Sequence, residues 1–369
     1  LPNLLVAEQR PRSAAAYGVF RSVGISLCTL VPIALGGTVW TVAGSLVGLG
    51  VAQGIWVIAS LRSLYGRAPR IAAATSLRSL VRFGLPLGLT DVVAVLNNSF
   101  DRLLVMLTFA DVIFAEYQAG AWQIPIVTAV PYMVGTAMAP RLVELFREGR
   151  AREAIGLWRA SIEKVALIVV PVALVFVVAA EEVVELLFTA EYAGAAPVLR
   201  WYSILTAGRV AAFGVVIVAA GRPAFVFQAS LLSLAANVVL SLPLLWVFGF
   251  VGPAMGTTLA FIPIVAFYTW SIARASGLAI GEILPLAAYG RVVGLGLVGA
   301  LVAFAFKLSI DGPAALMLIG EASILLGVFA GLGTLTGVIG RGEWGYLWSW
   351  VRLRFLARQP AEVAAAESG

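Results

Sequence analysis

The chain has 369 residues, of which 61% are hydrophobic and only 12% charged, with a mean hydropathy of +0.99 and a net charge of +6. A soluble domain is about a quarter charged, so this composition excludes an ordinary globular protein and predicts an all-α polytopic membrane protein. Histidine is absent and Cys28 is the single cysteine, which excludes internal disulfides, His/Cys metal centres and nucleophile or acid–base schemes that need histidine.

Apolar runs able to cross roughly 30 Å of hydrocarbon number about ten. They lie near residues 16–37, 39–60, 85–108, 113–139, 161–180, 196–220, 223–248, 251–273, 287–308 and 313–336. Pro32, Pro125, Pro131, Pro171, Pro243 and Pro263 interrupt several of them, which a bundle interior tolerates because neighbours satisfy the freed carbonyls. The chain starts on Leu1 with no signal-peptide pattern ahead of the first span, so the start reads as processed or as internal to a longer gene.

The third span, LGLTDVVAVLNNSFDRLLVML (87–107), carries the first chemistry. At 100° per residue Asp91, Asn98 and Arg102 fall within about 40° of one another, with Asp101 on the flank of that stripe. The opposite face is apolar, so this helix has one wet edge. In the fourth span Glu116 and Gln123 share a face. In the sixth, WYSILTAGRVAAFG, Arg209 sits mid-span with Tyr202 and Thr206 on its side, and in the seventh Asn237 lines up with Ser230, Ser233 and Ser241. Charge at membrane depth costs about 2.5–3.5 kcal/mol per residue on insertion scales, and polar stripes on four spans imply a shared hydrated cavity. Two bland readings stand beside this. The Ser/Asn face suits close helix packing, and Asp101 with Arg102 suits half of a buried salt bridge fixing helix order.

Loop charge sets the orientation. One set of alternate loops holds Arg10, Arg12 and Arg21, then Arg62 to Arg82, Arg141 to Lys164, Arg222, Arg274, Arg291 and Arg341 to Arg358. The other offers Arg200 and Lys307 against Asp111, Glu116, Glu181, Glu182, Glu185, Glu191 and Asp311. Both termini are therefore expected in the cytoplasm of a protein of the cytoplasmic membrane, with an even number of spans. The positive charge answers to anionic lipid, and nucleic acid need not be invoked. Residues 141–164 suit an amphipathic helix at the cytoplasmic interface, and WGYLWSWVRLRF (344–355) suits an aromatic and basic anchor at headgroup level.

An arginine in a wet cavity suits an anion, because its planar fork matches phosphate oxygens at two points. Arg102 and Arg209, with Asn98 and Tyr202, are accordingly the candidate substrate-binding residues for a sugar-linked diphosphate. Asp91, Asp101 and Glu116 are the candidates for charge pairing or for holding a coupling proton or sodium ion. No catalytic residue and no metal site is expected.

The order of several motifs resembles the polysaccharide-transport branch of the multidrug/oligosaccharidyl-lipid/polysaccharide flippase superfamily. They are the acidic–basic pair Asp101–Arg102, Glu116–Tyr117 opening the next helix, LFTAEYAGA (187–195), and Gly221–Arg222 ahead of Asn237. Ala115 stands where that family often has Gly, and Thr189 where Gly is usual. The likeness runs over about residues 14–340. It implies six-helix bundles facing each other across a cavity. Residues 1–60 would be the last two helices of a first bundle, 61–84 a basic linker, 85–273 a complete second bundle, 274–340 an additional helix pair, and 341–369 an interfacial helix and tail. Four helices would precede Leu1. The implied function is a flippase for a polyprenyl-diphosphate-linked oligosaccharide, with membrane lipids and other polysaccharide assembly proteins as partners. A drug/cation antiporter of the same superfamily, a membrane glycosyltransferase, ligase or polymerase, and an inactive fragment are the competing readings. The arginines weigh against the antiporter, and the short outer loop 181–195 against the enzymes.

Overall fold

A computed structural model describes residues 11–65, 74–122, 125–340 and 342. Arg67, Arg70, Gln123 and the 344–355 anchor lie outside the described residues. The chain is an all-α polytopic membrane protein that divides into two compact units, Leu1–Arg78 and Ser79–Gly369. The division falls inside the 61–84 segment expected as a linker.

In the first unit α1 (Pro11–Ala34) and α2 (Val39–Tyr65) form an antiparallel hairpin. Gly36, at φ +74°, supplies the left-handed turn between them. The hairpin is tied along its length by Ser45 Oγ donating to the Cys28 carbonyl at 2.7 Å, and by Trp56 edge-on to Tyr17 at 5.9 Å.

The second unit is built on α3 (Ala74–Thr108), α4 (Asp111–Gly120), α5 (Pro125–Arg147), α6 (Ala151–Val178), α7 (Ala180–Phe188), α8 (Ala195–Gly208), α9 (Phe213–Ala219), α10 (Pro223–Phe248), α11 (Gly252–Ser276), α12 (Leu286–Ser309) and α13 (Ala314–Leu335). Its main core joins α5, α6, α9, α11, α12 and α13 through residues such as Trp158, Val169, Phe213, Ile272 and Leu325. Trp158 meets Phe213 edge-on at 5.6 Å and Phe213 stacks on Tyr268 at 5.1 Å. Between α10 and α11 the backbones nearly touch. A Cβ added at Gly256 would stand 2.7 Å from Ser241 Cα, so only a residue without a side chain lets this pair close.

Among the described residues, seven stretches are long and apolar enough to cross a membrane, and one of them, Pro223–Ser276, holds both α10 and α11. The expected spans at 85–108 and 113–139 are not among them. α3 carries Asp91, Asp101 and Arg102, and the second run is divided into the 10-residue α4 and the Pro131-containing α5.

Two expectations change. Residues 141–164 are not a separate interfacial helix. They are the end of α5, a turn at Gly149 with φ +74°, and the start of α6. Leu142, Leu145, Ile155 and Trp158, expected to face the headgroups, are buried inside the protein. The sixth span is likewise not continuous, because helix stops at Gly208 and resumes at Phe213.

Candidate functional site

Asp101 lies two turns from the end of α3 and is 3% exposed. An ionised carboxylate accepts hydrogen bonds and donates none, and three donors from three other helices converge on this one. Tyr202 of α8 donates to Oδ2 at 2.9 Å, Asn237 Nδ2 of α10 to Oδ1 at 3.0 Å, and Thr257 of α11 to Oδ2. Tyr202 spends its proton on Asp101, so the Tyr117 hydroxyl of α4, 3.0 Å away, donates to Tyr202. Asn237 Oδ1 in turn accepts from Ser241 at 2.6 Å, and its amide has a second acceptor in Asn97 Oδ1 at 3.3 Å. Five helices thus meet at one buried acid with no cation bonded to it.

Sequence periodicity set Asp101 on the flank of a wet stripe, and the structure turns it inward. Asp91, Asn98 and Arg102 stay exposed along α3. The Asp101–Arg102 salt bridge does not form. Arg102, one residue on and about 100° away, points out of the bundle, and among the described residues no ion pair includes it. Asn237 and Ser241, read first as a packing face, do pack closely and also belong to the polar network. Thr257, in GPAMGTTLAF, went unnoticed in the sequence because threonine is common in apolar helices. Its one signal is its place a single residue after Gly256, at the tightest helix contact.

Arg209 occupies the break in the sixth span. Its backbone N–H caps α8 through the Leu205 and Thr206 carbonyls, and residues 209–212 are unwound before α9. Irregular backbone at membrane depth persists only where protein or a wet cavity surrounds it. Here α5 closes on it, since a Cβ at Gly135 would stand 2.6 Å from Ala212 Cβ. The guanidinium is half-buried and lies over the Phe261 ring, 5.9 Å from its centroid. Among the described residues it has no acidic partner within ion-pair distance. Tyr202 and Thr206, expected beside it, lie on α8, where Thr206 bonds the Tyr202 carbonyl and the Tyr202 hydroxyl goes to Asp101.

Among the described residues Glu116 makes no ion pair with either arginine. Its carboxyl carbon would be 2.7 Å from a Cβ at Gly194, the residue ahead of the first turn of α8, where unpaired N–H groups and the positive end of the helix dipole favour an anion. That places Glu116 beside a helix end. A surface pocket of about 380 Å³, lined by Val143, Phe146, Arg147 and Val218 to Gly221, shares no residue with the Asp101 network.

A helical bundle with a discontinuous span and a polar centre reached from several helices defines an all-α polytopic membrane fold. The structure is similar to a solved one, lipid II flippase MurJ in its inward closed conformation, with a TM-score of 0.63 and 14% identity, covering 89% of this chain and 68% of that one. The family described as polysaccharide biosynthesis protein matches residues 12–197, and the chain belongs to it. No curated protein matches the sequence.

Proposed function

We propose that this chain is the translocating part of a flippase that moves a polyprenyl-diphosphate-linked oligosaccharide across the cytoplasmic membrane by alternating access, with both termini in the cytoplasm. The reading rests on one observation. Asp101 is committed to Tyr202, Asn237 and Thr257, so among the described residues no carboxylate is bonded to Arg102 or Arg209. Two such forks suit the two phosphates of the carrier, and exposed Asn98 and Asp91 on the α3 edge suit its sugar hydroxyls. The discontinuous span at Arg209 has the form in which transporters place a binding site. The family membership supports transport for polysaccharide assembly over an enzyme. Asp101 is the group we assign to the coupling ion, a proton or sodium, because its five-helix network is what a change of charge there would rearrange.

The experiment is translocation of a fluorescent polyprenyl-diphosphate glycan in vesicles holding wild type, Arg102→Ala, Arg102→Lys, Arg209→Ala or Asp101→Asn. Arg102→Ala and Arg209→Ala should each lower translocation at least tenfold without changing melting temperature. Arg102→Lys should recover part, since an ammonium keeps the charge but loses the fork. Asp101→Asn should spare glycan binding but abolish the response to the sodium or proton gradient. Full translocation by the Arg102→Ala/Arg209→Ala double variant would end the proposal.

A further inference from the structure

A second acidic cluster lies where α7, α12 and α13 meet, sharing no residue with the Asp101 network. Lys307 Nζ on α12 is 2.6 Å from Glu182 Oε2, 2.9 Å from Glu181 Oε2 and 3.2 Å from the Val178 carbonyl. An ammonium has three hydrogens, and these three acceptors take them. Its fourth neighbour is Glu321 on α13, whose Oε1 stands 3.9 Å away. That is close enough for charge but leaves no hydrogen to share.

Glu321 is 1% exposed, and neither of its oxygens has a donor. Glu182 shares Lys307 with it, their oxygens standing 2.6 and 3.9 Å from the same Nζ, so the neighbour that faces Glu321 is itself a carboxylate. Two ionised carboxylates repel and cannot hydrogen-bond, whereas one proton between them supplies both the missing donor and the missing charge. The count agrees. The charged groups facing Glu321 among the described residues are Lys307 from α12 and Glu181 and Glu182 from α7, while α6 offers only the Val178 carbonyl. Arg200 of α8 neutralises Glu181. Three carboxylates against two cations leave one negative charge over, and Glu321 and Glu182 are the two of the three that are buried.

We propose that Glu321 and Glu182 form a proton-binding site, one proton being held between the two carboxyl groups. Loss of that proton makes Glu321 an anion beside Lys307. Lys307 can then give it a hydrogen only by releasing Glu181, Glu182 or Val178, so the bound proton sets how tightly the α12–α13 hairpin is fastened to the corner between α6 and α7. This site does not depend on the transport reading.

The test is infrared spectroscopy of the full chain in lipid nanodiscs, reading the protonated-carboxyl C=O stretch in wild type, Glu321→Gln and Glu182→Gln. Wild type at neutral pH should show a protonated-carboxyl band that disappears on alkalinisation and is missing from Glu321→Gln. In Glu182→Gln the same band should move in frequency, because its partner becomes an amide. Any band belonging to Asp101 would persist in both. A wild-type spectrum with no band that Glu321→Gln removes would overturn the site. So would an unmoved band in Glu182→Gln. Thermal stabilisation by sodium chloride over choline chloride that Glu321→Gln abolishes would assign the place to a metal cation and also overturn it. The amide of Glu321→Gln keeps a donor toward Glu182, so its melting temperature should stay within a few degrees of wild type.

Discussion

Asp101 and Glu321 are both buried acids of the second unit, and their surroundings differ in kind. Asp101 is met by a phenol, an amide and a hydroxyl, and each of these has somewhere else to go. Tyr202 has Tyr117 at 3.0 Å, Asn237 has Asn97 at 3.3 Å, and Thr257 has Asn237 Oδ1 at 3.1 Å. The Glu321 cluster is ionic and has no such reserve, since its one central cation, Lys307, is already fully subscribed. A network of neutral donors with spare acceptors re-pairs around a change of charge at its centre without orphaning a donor. An ionic knot built on a single lysine transmits such a change.

The sharpest way to break this comparison is at Lys307. Lys307→Met leaves Glu182 and Glu321 without their cation, and removal of one partner of a buried pair costs about 3–5 kcal/mol. Thermal unfolding in detergent should show the largest loss of any single change discussed here, and Glu182→Gln added to it should restore much of the stability. A mild Lys307→Met with no rescue would mean the cluster is merely a surface tie.

Asp101→Ala should cost less. Three donors lose their acceptor, but each has an alternative within reach, so the loss is expected at about 1–3 kcal/mol, the range for one orphaned polar group and not for three. A greater loss than that of Lys307→Met, read in the same unfolding assay, would show that the alternatives are not used and would reverse the comparison.

The smallest expected effect is a pH response. Burial by itself would raise Glu181, but Lys307 and Arg200 overcome it and hold its carboxyl below the usual range. A carboxylate with a lowered folded value contributes stability above its unfolded value, near 4.3, and loses it as pH falls through the folded one. The melting temperature should therefore fall on acidification below about pH 4.3, and Glu181→Gln should flatten that fall. An unchanged slope would remove Glu181 from the cluster's energetics.

The apolar runs were legible because hydrocarbon imposes length and composition on every spanning helix, and they located α1, α2 and α10 to α13 within about five residues, whereas α6 begins ten residues before the expected 161. The polar centre was harder to read. A helical wheel gives angles within one helix but not which angle faces the neighbours. Asp101 was thus placed at the edge of the Asp91/Asn98/Arg102 stripe when α8, α10 and α11 enclose it. Glu321 had a signal that passed unused, a lone carboxylate in the apolar run ALMLIGEASILLG, 14 residues after Lys307. The stop at Arg209 was foreshadowed only by Gly208, since helices in membranes carry glycine freely.

The interruption of the sixth span gives its two halves separate allegiances. The α8 half is anchored to the Asp101 network by Tyr202 and to α11 by the Thr258 hydroxyl on the Trp201 carbonyl. The unwound residues leading to the α9 half are clasped by α5 at Gly135. A continuous helix would carry any rotation of one end to the other as a rigid rod. Cut at residue 209, it has the form of a crank, with the arginine at the elbow. A twist of α8 at the tyrosine network would swing that guanidinium without being carried into α9 as rigid helix.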